Sequence, residues 1–398
     1  MKQRLIVILN LSLVSGFVVL GFSIISPVLP QYALSFSISV ALIGWAVSSF
    51  ALARMALDIP AGLLADSFGR KRIMVIGLIF IILSSILSGM AVNYPLLIIG
   101  RVIQGVGSAL YVTAATTWIA QISTGEYRGR FMSLYSGIVF AATSFGPVIG
   151  GYSAFHFGLS APFFVYGGFA VFGLLATIPL KEISDHNRET RSIVRIKDVH
   201  SIFMNGSFIL VNLSVLALFF LRSGVRSTLI PLYAALNLNL TEAQIGILMT
   251  VAAVVTSLLT YPSGWLSDRV GRKRPIMSCL FLSAISVLLI PSRTSLGGLI
   301  PIMVLYGFAT GLQGSIAAWP ADVAPKDKLG AAMGVYRIIG DIGMFLGPIT
   351  VSHVADYTGH LTITFLPFLI PAVVAFMAGI LMIWAKDPMA SKKVQMSL

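Results

Sequence analysis

Apolar residues run through this chain in stretches of about 20 residues, the length of a helix that crosses a membrane. Short polar connectors separate the stretches, and we predict one membrane-spanning helix for each. Stretches of this length fit helices rather than the shorter alternating strands of a membrane barrel. The predicted twelve spans are residues 5–29, 40–63, 73–92, 95–120, 131–154 and 160–180, then 205–232, 243–263, 275–292, 298–321, 330–354 and 362–385.

The most polar connector, residues 181–204, separates six predicted spans from six. It predicts an N-terminal bundle over residues 1–180, a cytoplasmic linker over 181–204, and a C-terminal bundle with a short cytoplasmic tail over 205–398. The first apolar stretch is too long for a signal peptide and no small-residue cleavage site follows it, so we expect it to be retained as a helix.

The two predicted bundles carry related sequences. Gly62–Arg72, GLLADSFGRKR, returns 202 residues later as Gly264–Arg274, GWLSDRVGRKR. An ordered series of further matches lies at offsets of 201, in which Pro30, Tyr32, Trp118 and the pair Gly146-Pro147 recur as Pro231, Tyr233, Trp319 and Gly347-Pro348. The fold class predicted is therefore an all-α membrane protein with twelve transmembrane helices in two pseudo-symmetric six-helix bundles. A parallel repeat of this kind predicts a substrate site at the interface of the halves.

The charge distribution predicts the orientation. The chain is 57% hydrophobic and only 10% charged, with 27 Lys and Arg against 14 Asp and Glu. Of the 27 cations, 21 lie at the termini, in the linker, or in the connectors that follow even-numbered spans. By the positive-inside rule both termini are cytoplasmic and the protein is a multi-pass protein of the cell (inner) membrane. This topology explains the net charge of +13 without nucleic acid.

The residues that carry cofactor chemistry are scarce. The lone Cys279 excludes an internal disulfide and makes a cysteine-based metal site improbable, the histidines lack metal-ligand spacing, and no ATP-binding motif is present. We therefore expect neither an enzyme nor a bound cofactor or metal, and a proton gradient as the energy source. The expected partners are a small-molecule substrate and membrane lipids, with the chain acting as a monomer.

Four motifs resemble those of the major facilitator superfamily, and in particular its twelve-span drug:proton antiporters. They are Gly62, Asp66, Gly69, Arg70 and Arg72 after span 2, Leu20-Gly21, Pro27 and Pro30 in span 1, Arg101, Gln104, Gly105 and Gly107 in span 4, and Gly146-Pro147 and Gly150-Gly151 in span 5. The resemblance covers the whole chain, and the span 5 motif is typical of exporters. Span 1 lacks the carboxylate of many multidrug members and Ala142 replaces an expected glycine, which weakens an assignment to polyspecific cation efflux.

The repeated motif predicts a gate at the cytoplasmic side. Gly62 permits another helix to approach, Gly69 permits the turn, and Asp66 can accept hydrogen bonds from the free amides at the start of span 11. Arg70 and Arg72 can reach Glu126 in the next cytoplasmic connector, and the resemblance implies the same latch. Asp268 and Arg272 are the counterparts in the second copy. The alternative is that these cations only set the topology.

Four charged residues inside the membrane predict two ion pairs. Arg54 and Asp58 lie in span 2, and Arg337 and Asp341 lie in span 11 at matching depths. We predict that Asp58 pairs with Arg337 and Arg54 with Asp341, because an intramembrane charge is costly and is usually partnered. The alternative is one i,i+4 pair within each helix. Asp341 is the acid nearest the bilayer centre and the first candidate for proton coupling.

Three further arginines lie inside predicted spans. In the resembling family the arginine at Arg101 is linked to proton coupling, while a structural role, bonding carbonyls of a neighbouring helix, fits equally well. Arg222 and Arg226 share one face of span 7 and suggest a positive cavity for an anionic or zwitterionic amphiphile; snorkelling toward headgroups is the alternative. The remaining candidates for the substrate cavity are Gln104, Phe22, Ser26 and Gln313.

In span 5, Gly146, Pro147, Gly150 and Gly151 predict a kinked helix packed closely on span 8, in a contact that limits leakage. Together these features predict a secondary active exporter that exchanges an amphipathic, drug-like molecule for protons by alternating access. The alternatives are a dedicated exporter or flippase of an organic anion or lipid, and an uncoupled facilitator. A non-transporting receptor is disfavoured by the intact second copy of the gate motif.

Overall fold

The computed structural model describes residues 2–122, 128–180, 206–324, 329–359 and 362–388, and helices account for nearly all of them. Eleven helices in the described residues are long and apolar enough to cross a membrane, and Ala161–Thr177 is a shorter apolar helix of 17 residues. These twelve helices are the spans predicted from the sequence. They form the two pseudo-symmetric sets of six expected of this fold class.

The first six spans have the following bounds. Span 1 is Lys2–Ile25 and continues after a turn as Leu29–Leu34; spans 2 to 6 are Val40–Phe68, Arg70–Gly89, Tyr94–Ile122, Arg128–Phe157 and Ala161–Thr177.

The last six spans are more irregular. Span 7 comprises Gly206–Phe220, a π-helical segment Leu221–Leu229, and Ile230–Leu236; spans 8 and 9 are Glu242–Val270 and Lys273–Leu289; span 10 comprises Leu296–Gly311, a 3₁₀ turn Leu312–Ser315, and Ala318–Val323; spans 11 and 12 are Leu329–Gly359 and Leu366–Leu381.

Several predicted boundaries were wrong. Spans 2 and 8 run to Phe68 and Val270 rather than to residues 63 and 263, because a helix does not need to end where its apolar stretch ends. Span 1 stops at Ile25, where a turn precedes the helix that begins at Leu29 with proline as its second residue. The π-helical segment of span 7 was not predicted.

The chain divides into two compact units. Unit 1 comprises residues 1–186 together with 239–250, and unit 2 comprises 187–238 together with 251–398. The first turns of span 8 therefore group with spans 1 to 6. The predicted linker 181–204 lies outside the described residues. The boundary between the two units falls between residues 186 and 187, within this linker.

Equivalent helices pair in each unit. In unit 1, spans 3 and 4, spans 1 and 5, spans 1 and 6, and spans 3 and 6 pack against each other. In unit 2 the same pairings are spans 9 and 10, spans 7 and 11, spans 7 and 12, and spans 9 and 12. The sequence repeat is therefore also a repeat of helix packing.

Small residues bring equivalent backbones into contact in both units. A Cβ added at Gly105 of span 4 would lie 2.5 Å from the Phe50 carbonyl oxygen of span 2. A Cβ added at Gly307 of span 10 would lie 2.6 Å from the Ala252 carbonyl oxygen of span 8. Only glycine permits such close packing of membrane helices, so these positions fix the spacing of spans 2 and 4 and of spans 8 and 10.

Two repeated tyrosines tie the end of one span to another. The Tyr32 hydroxyl donates to the Ser88 carbonyl at the end of span 3, at 2.8 Å. The Tyr233 hydroxyl donates to the Arg293 carbonyl just after span 9, at 2.7 Å. Each tyrosine therefore adds a hydrogen bond to the carbonyl end of a neighbouring span or to the residue that follows it.

Candidate functional site

The first copy of the repeated motif forms a turn with an ion pair beside it. Gly69 has φ of 91°, a conformation that side chains disfavour, and this confirms the turn expected there. Arg70 Nη2 lies 3.5 Å from Asp66 Oδ1. Arg70 Nη1 also donates to Gln121 Oε1 at the end of span 4. The expected partner Glu126 lies outside the described residues.

The remaining residues of the first copy have smaller roles in unit 1. A Cβ added at Gly62 would lie 3.7 Å from Thr113 Cγ2, an ordinary contact, so the close approach expected at Gly62 is not present within unit 1. Arg72 is exposed. The contact between Asp66 and the start of span 11 stays a prediction.

The second copy forms the same turn with more partners. Gly271 has φ of 100°, and Arg272 Nη1 lies 2.7 Å from Asp268 Oδ1. Arg272 Nε donates to Asp322 Oδ2 of span 10 at 3.0 Å. The carboxylate of Asp387, which follows span 12, accepts hydrogen bonds from the backbone amides of Arg272 and Lys273 at 3.3 and 3.1 Å. A carboxylate is favoured there because the first amides of span 9 are open donors.

Sequence reasoning missed Gln121, Asp322 and Asp387. The signal for the first two was present, since Gln121 and Asp322 are repeat partners at an offset of 201. Asp387 had no local signal because it lies 115 residues from Arg272.

A lysine in each motif closes the end of another span. Lys71 Nζ donates to the Ile178 carbonyl after span 6, and Lys273 Nζ donates to the Ile383 carbonyl after span 12. A cation at the C-terminal end of a helix interacts favourably with the carbonyls exposed there. The motif therefore binds two neighbouring spans in each unit.

The four predicted pairing partners divide evenly between the units. Arg54 and Asp58 are half-buried in span 2 of unit 1. In span 11 of unit 2, Arg337 is exposed and Asp341 is only 1% exposed. The crossed pairs of Asp58 with Arg337 and of Arg54 with Asp341 stay predictions. The burial of Asp341 sets this carboxylate apart from the other acids of the described spans, none of which is as buried.

Arg101 is fully enclosed within unit 1. Its Nε donates to the Ala46 carbonyl of span 2 at 3.1 Å, its Nη1 donates to Gln104, and the guanidinium lies 5.1 Å from the ring centroid of Phe50. Tyr166 of span 6 lies beside both Gln104 and Arg101. Of the two roles left open for Arg101, these contacts favour the structural one, in which the arginine bonds a carbonyl of a neighbouring helix.

The span 5 glycines allow two close contacts. A Cβ added at Gly150 would lie 1.9 Å from the Ile24 carbonyl oxygen of span 1, and one at Gly146 would lie 2.4 Å from Ser23 Cβ. On the other side of span 5, a Cβ at Gly151 would lie 2.3 Å from the Glu242 carbonyl oxygen, at the start of span 8. The structure thus confirms the expected close packing of span 5 on span 8, within the part of span 8 that belongs to unit 1.

Span 1 compensates for the proline of this motif. Pro147 has no amide hydrogen, so the carbonyl of Thr143 one turn earlier loses its helical donor. The Ser23 hydroxyl donates to that carbonyl at 2.9 Å. A hydrogen bond therefore joins span 1 to span 5 at the turn where Pro147 removes a helical hydrogen bond.

The predicted substrate residues lie in both units. In unit 1, Gln104 is 2% exposed, and Ser26 is half-buried at the turn after span 1. The ring of Phe22 is tilted against that of Phe50, with the ring centroids 5.0 Å apart. In unit 2, Gln313 is half-buried in the 3₁₀ turn of span 10.

The two arginines of span 7 lie in its π-helical segment. Arg222 is exposed on the surface of unit 2, and Arg226 is half-buried. Tyr306 of span 10 lies close enough to interact electrostatically with both guanidinium groups.

Repeated bundles of six apolar spans, with charged side chains inside the spans and a charged turn repeated in each bundle, define a membrane transporter of the two-bundle type. The family model of the Major Facilitator Superfamily matches residues 11–221 and 211–396. The chain belongs to this superfamily.

Individual relatives are similar over nearly the whole chain. An uncharacterised MFS-type transporter of Methanocaldococcus jannaschii is 28% identical, covering 85% of this chain and 89% of the relative. Multidrug resistance protein 2 of Bacillus subtilis is 26% identical, covering 92% of each chain. The crystal structure of a bacterial homologue of the human lysosomal transporter Spinster, in an inward-facing and occupied conformation, covers 97% of each chain with a TM-score of 0.82 and 16% identity.

Proposed function

We propose that this chain is a secondary active exporter that moves an amphipathic small molecule out of the cell in exchange for protons. The burial of Asp341 carries the proposal, because a carboxylate that is 1% exposed within a membrane span is costly and is typically retained for proton or substrate pathways. Similarity to a multidrug resistance protein supports export of a drug-like molecule. Both termini would lie in the cytoplasm, as the distribution of lysine and arginine predicts.

In this mechanism the two units rock around a shared substrate site. Protonation of Asp341 would remove its negative charge and weaken its attraction to a cationic partner, and this change would favour one of the two access states. The motif turns, with Arg70 and Arg272 at their centres, would stabilise the state that is closed at the cytoplasmic side. No cofactor enters the cycle, since the proton gradient supplies the energy.

The test is transport by the full chain in proteoliposomes with an imposed pH gradient. Two permanently charged dyes serve as probes, namely cationic ethidium and anionic 1-anilinonaphthalene-8-sulfonate. We expect at least one dye to accumulate against its gradient and to stop doing so when the pH gradient is collapsed. Flux that ignores the pH gradient would instead identify an uncoupled facilitator.

The Asp341→Asn variant tests the residue assigned to coupling. It should still bind the transported dye but lose the component of transport that depends on the pH gradient. Asp356→Asn is the matched control, because it removes the same charge from the same span at a half-buried position. Unchanged pH dependence in Asp341→Asn would refute the assignment.

A further inference from the structure

The arginine segment of span 7, Leu221–Leu229, departs from α-helical geometry. The segment is π-helical, and side-chain hydroxyls within it donate to carbonyls five residues earlier. The Thr228 hydroxyl, for example, donates to the Ser223 carbonyl at 3.0 Å. Segments of this kind are rare and are frequent at functional sites. The Tyr306 hydroxyl of span 10 donates to the Leu221 carbonyl at 3.4 Å, so span 10 contacts the segment where it begins.

One nitrogen of the Arg226 guanidinium lacks an acceptor in this segment. Its Nε atom is buried and has no hydrogen-bond partner among the described residues. Burial of a charged donor is unfavourable unless the donor is paired and hydrogen-bonded. An acceptor brought to the Nε of Arg226 would therefore remove an unfavourable burial.

Arg101 of unit 1 shows how this chain satisfies a buried guanidinium. The Nε of Arg101 donates to the Ala46 carbonyl at 3.1 Å, and Gln104 accepts from Nη1. At the repeat partner of Gln104, span 10 carries Tyr306, whose hydroxyl has already been placed on the Leu221 carbonyl. Unit 2 therefore has a tyrosine where unit 1 has Gln104, the residue that accepts from Nη1 of Arg101.

The side chains that interact electrostatically with Arg226 are an arginine and a tyrosine, and neither is an acid. Arg226 interacts electrostatically with Arg222 and Tyr306, and Tyr336 of span 11 interacts with Arg222 and Arg337. Gly343 allows spans 7 and 11 to pack closely, since a Cβ there would lie 2.4 Å from the Leu216 carbonyl oxygen. This packing holds Tyr336 beside the span that carries the arginines.

We propose that the cluster of Arg226 and Arg222 binds the anionic group of an amphipathic molecule. A carboxylate, sulfonate or phosphate supplies the acceptor that the Nε of Arg226 lacks, and such groups match the planar donors of a guanidinium. The exposure of Arg222 leaves the cluster open at the surface of unit 2. As a cargo site the cluster rests on the proposed function, and it then assigns the exporter an anionic substrate class.

Equilibrium binding to the full chain in phosphatidylcholine nanodiscs tests the site without a pH gradient. The probes are 1-anilinonaphthalene-8-sulfonate and N-phenyl-1-naphthylamine, which share their ring system and differ by the sulfonate. Energy transfer from the five tryptophans reports binding to the protein rather than to lipid alone. Because failure of proton coupling leaves this measurement unaffected, the site and the proposed function are tested separately.

Arg226→Gln should weaken binding of the sulfonate about tenfold or more, the effect of losing hydrogen bonds to a charged group. Binding of the neutral amine should stay within about twofold, because no charge-assisted bond is lost. Arg293→Gln is the matched control, since it removes the same charge from an exposed connector of unit 2 and should change neither probe. Arg222→Gln removes the second guanidinium and should weaken the sulfonate selectively even if Arg226→Gln does not fold.

Equal weakening of both probes, or sulfonate binding unchanged in Arg226→Gln and Arg222→Gln, would overturn the proposal. A second set of nanodiscs, in which phosphatidylglycerol is mixed into the phosphatidylcholine, identifies the source of the anionic group. If this lipid removes the selective sulfonate binding, a lipid headgroup occupies the site. If selective binding persists, the site takes a soluble anionic cargo. Either result supports an anion site at Arg226.

Discussion

The motif turn of unit 1 and that of unit 2 share a backbone but differ in charge. Both have glycine at positive φ, at Gly69 and Gly271, and both place an arginine on an acid one turn earlier. The other side chain that each arginine contacts differs. Arg70 contacts the neutral amide of Gln121, while Arg272 contacts the carboxylate of Asp322. The geometry of the turn is therefore independent of the charge that the turn holds.

The same contrast runs through the two units. Backbone contacts repeat, as at Gly105 and Gly307, because helices that pack in the same arrangement require a small residue at the same crossing. Charged side chains inside the spans do not repeat, since Arg222 and Arg226 correspond to Gly21 and Ile25 of span 1. The two halves therefore share the close contacts between their helices and differ in the charged side chains inside their spans.

The largest expected effect comes from replacing Gly150 by the residue of its repeat partner, Val351. In Gly150→Val the added Cβ would lie 1.9 Å from the Ile24 carbonyl oxygen, whereas Val351 is accommodated in unit 2. We expect a loss of about 3 kcal/mol in stability, because neither backbone can move without disturbing spans 1 and 5. Thermal melting of the detergent-solubilised protein, followed by size-exclusion fluorescence, measures it.

Gly137→Val is the control for this prediction. It lies on the same span, and nothing lies within 4 Å of the Cβ it would add. Equal melting temperatures for the two variants would contradict the prediction. They would show that span 5 can accept a valine beside span 1, as span 11 accepts Val351 in unit 2.

An intermediate effect is expected at the hydrogen bond that joins spans 1 and 5. Ser23→Ala removes the donor to the Thr143 carbonyl and should destabilise the protein by about 1–2 kcal/mol, since a buried acceptor is left open. Pro147→Ala restores an amide hydrogen to the helix, so the double variant should recover part of that loss. The comparison with unit 2 is direct, because Gly224 at the equivalent position has no hydroxyl.

The double-mutant cycle decides between two explanations of Ser23. Strictly additive losses in Ser23→Ala and Pro147→Ala would show that the hydroxyl contributes only through packing and that Pro147 creates no need for it.

The smallest effect tests the symmetry itself. Lys71→Met and Lys273→Met each remove a cation from the carbonyls at the end of span 6 or span 12. Each should lower stability by about 0.3–1 kcal/mol, the range for a charge at an exposed helix end. The two melting temperatures should agree, and a clear difference between them would break the equivalence of the two motif turns. Lys386→Met, after span 12, is a charge-matched control.

The sequence predicted the number of spans, the repeat, the glycine turn at Gly69 and the packing of Gly151 on span 8. These features follow from local composition or from residues that only glycine or proline can replace. It did not predict the π-helical segment Leu221–Leu229, since the shift from four-residue to five-residue bonding leaves no period in the sequence. It also did not predict that Gln104 accepts a hydrogen bond from Arg101, and the place of Gln104 in a substrate cavity stays a prediction.

The chain by itself determined that it crosses a membrane twelve times in two related halves, because apolar length, cation placement and repeated glycines are properties of short segments. Only the tertiary structure decided which polar groups are satisfied. Arg101 has acceptors, whereas the Nε of Arg226 has none among the described residues, although both arginines lie in apolar helices. A hydrogen bond depends on atoms that different spans bring within about 3 Å, and spacing along the chain does not encode that distance.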